Sequence, residues 1–249
     1  MKQKLLILLL LFITIASNAQ KLENCSECSS IKYSESNIIT NELFELKLLR
    51  NEIFARHNFS FKNERLEEYF FNYDWYKPDY KNPVTQVNLN AIEQFNVTLF
   101  KRKEEEIKRN RELLLTELGK LKIAIKENDN SFISDFTNGV IKNDNKSLLK
   151  KINSILELID IENINWHKGQ AKYEILIDNG FSISSQGIYI KGNSITIMST
   201  DPMTHSDLMK NDAAFKYPSD YYSEFENSSG VEIIFKNGKL IVVSLIFAG

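Results

Sequence analysis

The sequence predicts an α+β protein, with a small, mainly helical N-terminal domain joined by a charged helix to a C-terminal domain in which helices precede an antiparallel sheet. Three observations predict it. Between Leu43 and about Ile159 apolar residues recur every three or four positions in several separate runs, the period of helices with one buried face. From Tyr173 onward the period changes, and short β-rich runs alternate with turn residues. Asn237-Gly238 stands between the last two such runs, and that dipeptide favours a two-residue hairpin, hence antiparallel neighbours. Helices followed by antiparallel strands give the α+β class. A hydrophobic content of 43% with 11% aromatics is enough to bury a core and excludes disorder throughout the chain.

The chain opens as an export signal. Lys2 and Lys4 form a basic head, Leu5 to Ala16 carry no charge, and Ser17-Asn18-Ala19 present small residues at a cleavage point after Ala19. The apolar run is shorter than the roughly 20 residues that cross a membrane, so cleavage should leave no transmembrane anchor. Gln20 stands where a lipoprotein signal would place its cysteine. The expected address is the periplasm, the cell surface or the medium. Loss of Lys2 and Lys4 takes the formal net charge from −2 to −4, without the basic face that nucleic acid requires.

Residues 20–39 form an N-terminal segment holding both cysteines, Cys25 and Cys28. In an oxidising compartment this C-x-x-C spacing favours a small local disulfide. A redox pair would need a preceding strand and a helix N-terminus, and a zinc site would need two more ligands; neither context is evident. Residues 40–100 read as the helical domain. A first helix from about Thr40 to His57 is marked by Leu43, Leu46, Leu49 and Ile53, and Asn58 suits the left-handed residue that ends it. A second spans about Glu64 to Phe71, with Leu66, Tyr69 and Phe70 on one side. Pro78 and Pro83 then force an aromatic-rich loop through Trp75, Tyr76 and Tyr80. A third begins after Asn88 and continues into the bridge, residues 101–112, where Ile107 is the one apolar side chain. That run is expected to expose every face and to be held by pairs such as Glu104 with Lys108 and Glu105 with Arg109.

Residues 113–249 form the α+β domain. Leu114, Leu118, Leu121 and Ile125 mark one helix, and Ser131–Val140 and Ser147–Ile159 two more. Strands are expected at Tyr173–Ile177, Gly187–Ile190, Ser194–Met198, Val231–Lys236 and Lys239–Phe247, with turns at Asp178-Asn179-Gly180 and Gly192-Asn193 and a helical excursion over Ser206–Phe215. This element order looks like the cone-shaped fold of nuclear-transport-factor-2-like domains.

The segment Arg50-Asn51-Glu52-Ile53-Phe54-Ala55-Arg56-His57-Asn58, followed by Leu66, Tyr69-Phe70, Trp75-Tyr76, Pro78, Leu89-Asn90, Ile92-Glu93 and Asn96, resembles the YARHG domain family over residues 41 to about 100. Phe54 replaces the family's tyrosine and Asn58 its glycine. The resemblance implies a small helical extracellular domain of bacterial proteins associated with the surface or cell wall; it names no reaction. Arg50, Asn51, Glu52, Arg56, His57, Trp75 and Tyr76 are the candidate binding residues. On one reading the cations tie the helix to the aromatic loop. On the other they hold an anionic or carbohydrate ligand beside the rings.

No nucleophile elbow, zinc-protease helix or phosphate loop occurs, so no catalytic residue, metal or cofactor is assigned. His167 reads as a turn residue. His205, between Asp201 and Asp207, is a loose candidate base or ligand, and Phe215, Tyr217, Tyr221, Tyr222 and Phe225 either fill a core or line a pocket. The expected function is that of a non-enzymatic exported protein binding cell-wall polymer, carbohydrate or an envelope protein. The alternative is a small-ligand carrier or enzyme with a pocket in the C-terminal domain.

Overall fold

A computed structural model describes residues 21–140, 146–178, 182–200, 203–204 and 227–248. The export signal, the Asn179-Gly180 turn, His205, the Ser206–Phe215 helix and the aromatic cluster from Phe215 to Phe225 lie outside the described residues. The α+β class holds, with helices first and an antiparallel sheet after them. The chain divides into two compact units, residues 1–107 and 108–249.

In the first unit the helices are α1 (Glu35–Ile38), α2 (Leu43–Ala55), α3 (Glu64–Phe71) and the first part of α4 (Ala91–Glu127). Asn63 caps α3 by accepting from the Leu66 N–H. Helix α2 ends where Asn58 takes a φ of 55°, the left-handed geometry read from the sequence. Asn90 and Glu93 cap α4 reciprocally: Asn90 Oδ1 accepts from the Glu93 N–H at 2.9 Å, and Glu93 Oε2 accepts from the Asn90 N–H at 2.8 Å. One core gathers Leu46, Leu49 and Ile53 of α2, Leu99 and Phe100 of α4, Ile38, and the disulfide-bonded pair Cys25 and Cys28. A second gathers Ala55, Phe70 and Tyr76 with Phe61 and Trp75 against them.

The bridge is a correction to the sequence reading. Residues 101–112 lie inside the single helix α4, and they do have a buried face. Glu93, Asn96, Phe100, Glu104 and Ile107 fall at spacings of three and four, so the stripe that packs on α2 continues through the charged run. Glu104 is only 5% exposed and pairs with Arg50 rather than Lys108. Glu105 lies 4.0 Å from Lys101.

In the second unit α4 continues and is followed by α5 (Asn130–Thr137) and α6 (Lys146–Leu158). The strands are β1 (Trp166–His167), β2 (Gln170–Asp178), β3 (Ser182–Lys191), β4 (Ser194–Thr200), β5 (Met203–Thr204), β6 (Ser228–Lys236) and β7 (Lys239–Ala248). They pair antiparallel in the order β1-β2-β3-β4-β6-β7, with β5 on β3. Asn237 and Gly238 take φ of 53° and 74°, which matches the twist of the flanking strands and sets Lys236 opposite Lys239. His167 is not in a turn but in β1, because Lys168 and Gly169 adopt φ of 46° and 79° and fold it back onto Gln170. One sheet face, with Ile188, Ile190, Ile195, Ile197, Val231 and Ile233, forms a core with Ile152, Ile155 and Leu156 of α6.

Candidate functional site

The sequence-predicted residues of the first unit come together around the C-terminal half of α2. Arg50 points to α4, where its Nε donates to Glu104 Oε1 at 2.6 Å and a terminal nitrogen to Oε2 at 3.3 Å. This is the two-pronged geometry that suits guanidinium to carboxylate. Asn51 is buried and donates to the Lys47 carbonyl at 2.6 Å. Glu52, also buried, uses both oxygens: Oε2 accepts the Cys25 N–H at 2.9 Å, and Oε1 accepts Arg56 Nε at 3.0 Å. The Glu52–Arg56 pair is the i, i+4 contact read from the sequence.

Arg56 lies with its guanidinium carbon 4.5 Å from the centre of the Trp75 ring, so its charge meets an aromatic face as well as a carboxylate. His57 Nε2 is 2.9 Å from Glu93 Oε1, on the same carboxylate that caps α4. Tyr76 is buried, and its hydroxyl donates to the Phe59 carbonyl at 2.8 Å. Burial, with the nearby Glu67 carboxylate, pushes its pKa up to about 12. Asn58, at the motif's last position, accepts the Lys77 N–H at 2.8 Å and so binds the helix end to the aromatic loop. Phe54, at its first position, packs edge-on against Phe59 with ring centres 6.0 Å apart.

Arg50, Arg56 and His57 therefore each meet a carboxylate within the unit. The tie to the aromatic loop expected of Arg50 or Arg56 is made by Arg56 alone, through stacking; Arg50 instead holds α4. Sequence reasoning missed the other half of these contacts. Glu93, Asn96 and Glu104 sit on one stripe of α4, and Asn96 is fully buried. Its Oδ1 accepts the Tyr33 N–H at 3.0 Å, and its Nδ2 donates to the Cys28 and Ile31 carbonyls at 2.9 and 2.7 Å. The signal that finds them is their place on the same three-and-four spacing as Phe100 and Ile107.

Helix α3, the residues before it and the aromatic loop together form a continuous set of rings. Phe70 lies at its centre, with Phe61, Tyr69, Trp75 and Tyr76 within 6.0 Å. Tyr73 is 5.2 Å from Trp75 and shares a hydroxyl contact of 3.1 Å with Tyr69. Phe71 stacks on Tyr80 at 6.2 Å, and the Tyr80 hydroxyl donates to Glu67 at 3.0 Å. Phe71, Tyr73 and Tyr80 keep 51%, 39% and 60% of their surface exposed. The unit thus presents ring faces with hydrogen-bonding groups at their edges.

The second unit holds an open depression of about 500 Å³ on its sheet, lined by His167, Gln170, Lys172, Tyr189, Lys191 and Thr196 among others. Tyr189 hydroxyl donates to Glu174 at 2.8 Å, and that bond together with the stronger one from Lys172 lowers the Glu174 pKa. Among the described residues no group of three or more His, Cys, Asp or Glu could hold a metal ion, and no helix is long and apolar enough to cross a membrane.

The first unit is thus a disulfide-closed, mainly helical module whose polar helix residues fasten an aromatic loop, a cysteine segment and a second helix together. Residues 26–105 match the model of the YARHG domain, and the chain carries that domain. The match exceeds the 41–100 resemblance at both ends, taking in the Cys28–Tyr33 segment held by Asn96 and the Glu104 held by Arg50. No curated protein and no solved structure matches the chain.

Proposed function

We propose that this is an exported, non-enzymatic envelope protein whose YARHG domain binds cell-wall polymer or a related carbohydrate through the exposed rings at the end of α3 and in the aromatic loop. The carrying observation is the division of labour in the first unit. Arg50, Arg56 and His57 are paired with Glu104, Glu52 and Glu93, whereas Phe71, Tyr73 and Tyr80 stand open to solvent beside Glu67 and the paired tyrosine hydroxyls. Flat apolar faces bordered by hydrogen-bonding groups suit a sugar ring, which is apolar on its C–H face and polar at its rim. In this reading Arg50, Asn51, Glu52, Arg56, His57 and Tyr76 hold the platform, and Trp75, clamped by Arg56, supports Tyr73. The basic-headed leader ending at Ala19 supplies the route out of the cytoplasm.

The test is cosedimentation of the mature protein with purified cell-wall polymer. Wild type should be enriched over an unrelated acidic protein, and Phe71→Ala with Tyr80→Ala, or Tyr73→Ala, should remove the enrichment with little change in melting temperature. Arg56→Ala and His57→Ala should lower the melting temperature. Wall binding by the ring variants equal to wild type would refute the reading.

A further inference from the structure

Strand β2 has a neighbour on both sides only at its start. Trp166 and His167 of β1 pair with Ala171 and Gln170, and among the described residues no strand continues beyond them on that side. Lys172 to Asp178 therefore form an open edge. The Gly169 carbonyl accepts the Gly192 N–H at 3.2 Å, and a Cβ on Gly187 would lie 3.0 Å from the Tyr173 carbonyl oxygen, so the odd-numbered residues turn their backbone groups toward β3. By alternation Lys172, Glu174, Leu176 and Asp178 turn theirs outward, away from the sheet. The other edge strand, β7, carries a bulge at Val243, opposite the Glu232-Ile233 step, and a bulge spoils pairing along an edge. Strand β2 has no such interruption and keeps one register against β3 from Gln170 to Asp178.

A long, uninterrupted edge with apolar side chains is a template for another strand. Leu176 keeps 63% and Ile177 42% of their surface exposed, on opposite faces of β2. The segment Lys172-Tyr173-Glu174-Ile175-Leu176-Ile177-Asp178 is its own complement when a second copy lies antiparallel to it and centred on Ile175. Lys172 then faces the partner's Asp178, and Glu174 faces the partner's Leu176. On the helix-covered side Tyr173 meets the partner's Ile177, and the two Ile175 side chains meet at the axis. Outward backbone groups meet outward ones throughout, giving about eight hydrogen bonds. Centred one residue earlier, Glu174 would oppose the partner's Glu174; centred one residue later, it would oppose the partner's Asp178. Like charges directly opposite are unfavourable, so the charge pattern selects the Ile175 register.

We propose that β2 is a homodimer interface, at which two copies of the chain join antiparallel along residues 172–178 and continue one sheet across a two-fold axis. The span is short, so the dimer is a weak one, with a Kd between about 10 and 500 µM. It carries two YARHG domains, one on each chain. The interface lies wholly within the second unit and stands whether or not the first unit binds wall polymer.

The experiment is sedimentation equilibrium of the mature protein from about 5 µM to about 1 mM, where monomer and dimer should interconvert with concentration. Amide hydrogen exchange at Glu174 and Leu176 should slow as the protein is concentrated, while Tyr173, Ile175 and Ile177, already bonded to β3, should not change. Leu176→Pro removes an outward N–H and leaves every bond to β3, so it should melt near wild type and dimerise at least about tenfold more weakly. Lys172→Glu and Asp178→Lys each set like charges opposite one another at two symmetric places and should each weaken the dimer about tenfold; combined in one chain they should restore it to within about threefold of wild type. A protein that stays monomeric at about 1 mM overturns the proposal. A dimer that Leu176→Pro and the single charge reversals leave unchanged overturns it equally, as does a double reversal no tighter than the singles or exchange at Glu174 and Leu176 that ignores concentration.

Discussion

Asn96→Ala should destabilise the first unit by about 4 kcal/mol. The amide is fully buried and makes three hydrogen bonds, from the Tyr33 N–H and to the Cys28 and Ile31 carbonyls. Alanine leaves all three backbone groups without partners. The Cys28 carbonyl is deepest, and an unsatisfied group there costs about 2 kcal/mol; the other two bonds are partly buried and cost about 1 kcal/mol each. The assay is urea unfolding followed by Trp75 fluorescence in a Trp166→Phe background, since Trp75 lies in the first unit and Trp166 in the second. Hydrogen exchange at the Tyr33 amide gives a second readout, and it should speed up in the variant. Asn96→Asp keeps the acceptor for Tyr33 but turns both donors into a carboxylate facing two carbonyls, so it should be at least as damaging. A loss below about 1 kcal/mol in Asn96→Ala would refute the reasoning, because the cysteine segment would then be held by something other than this amide.

Other perturbations separate the remaining contacts. Tyr76 has its folded-state pKa raised by burial from 10.0 to about 12, so its stabilising share is complete below pH 10 and is lost as pH rises from 10 toward 12; urea midpoints of wild type should fall faster across that window than those of Tyr76→Phe. Gly230→Ala places a Cβ 2.2 Å from the Ile197 carbonyl oxygen and 2.9 Å from Met198 Cα on β4, and should cost the second unit about 3 kcal/mol or more by thermal melting. Gly119→Ala meets nothing within 4 Å on the helix and should stabilise by about 0.5–1 kcal/mol in the same assay. Replacing both Cys25 and Cys28 by Ala should cost about 2 kcal/mol in chain entropy for so short a loop, seen as a lower urea midpoint that added reductant no longer shifts.

What the sequence made legible is what has a period or a local signature. Helix α3 is legible at its bounds because Leu66, Tyr69 and Phe70 share a side, and the β6–β7 hairpin because Asn237-Gly238 fits one turn geometry. Helix α2 and its left-handed end at Asn58 followed from the same local logic. What stayed hidden are partners remote in sequence. Glu104 sits among eleven polar residues in the run 101–112, where its spacing from Phe100 and Ile107 is a faint signal and its partner, Arg50, lies more than fifty residues earlier. The same holds for Arg50, Arg56 and His57: their types are visible in sequence, but the carboxylates that meet them are remote or hidden. Two of those carboxylates, Glu93 and Glu104, stand on α4, one at its cap and one three turns along it. Arg50 and His57 therefore fasten α2 to α4 at two points, while Arg56 clamps Trp75 and Asn58 holds Lys77. These contacts hold the aromatic loop to the motif segment, while Phe71, Tyr73 and Tyr80 stay exposed beside it.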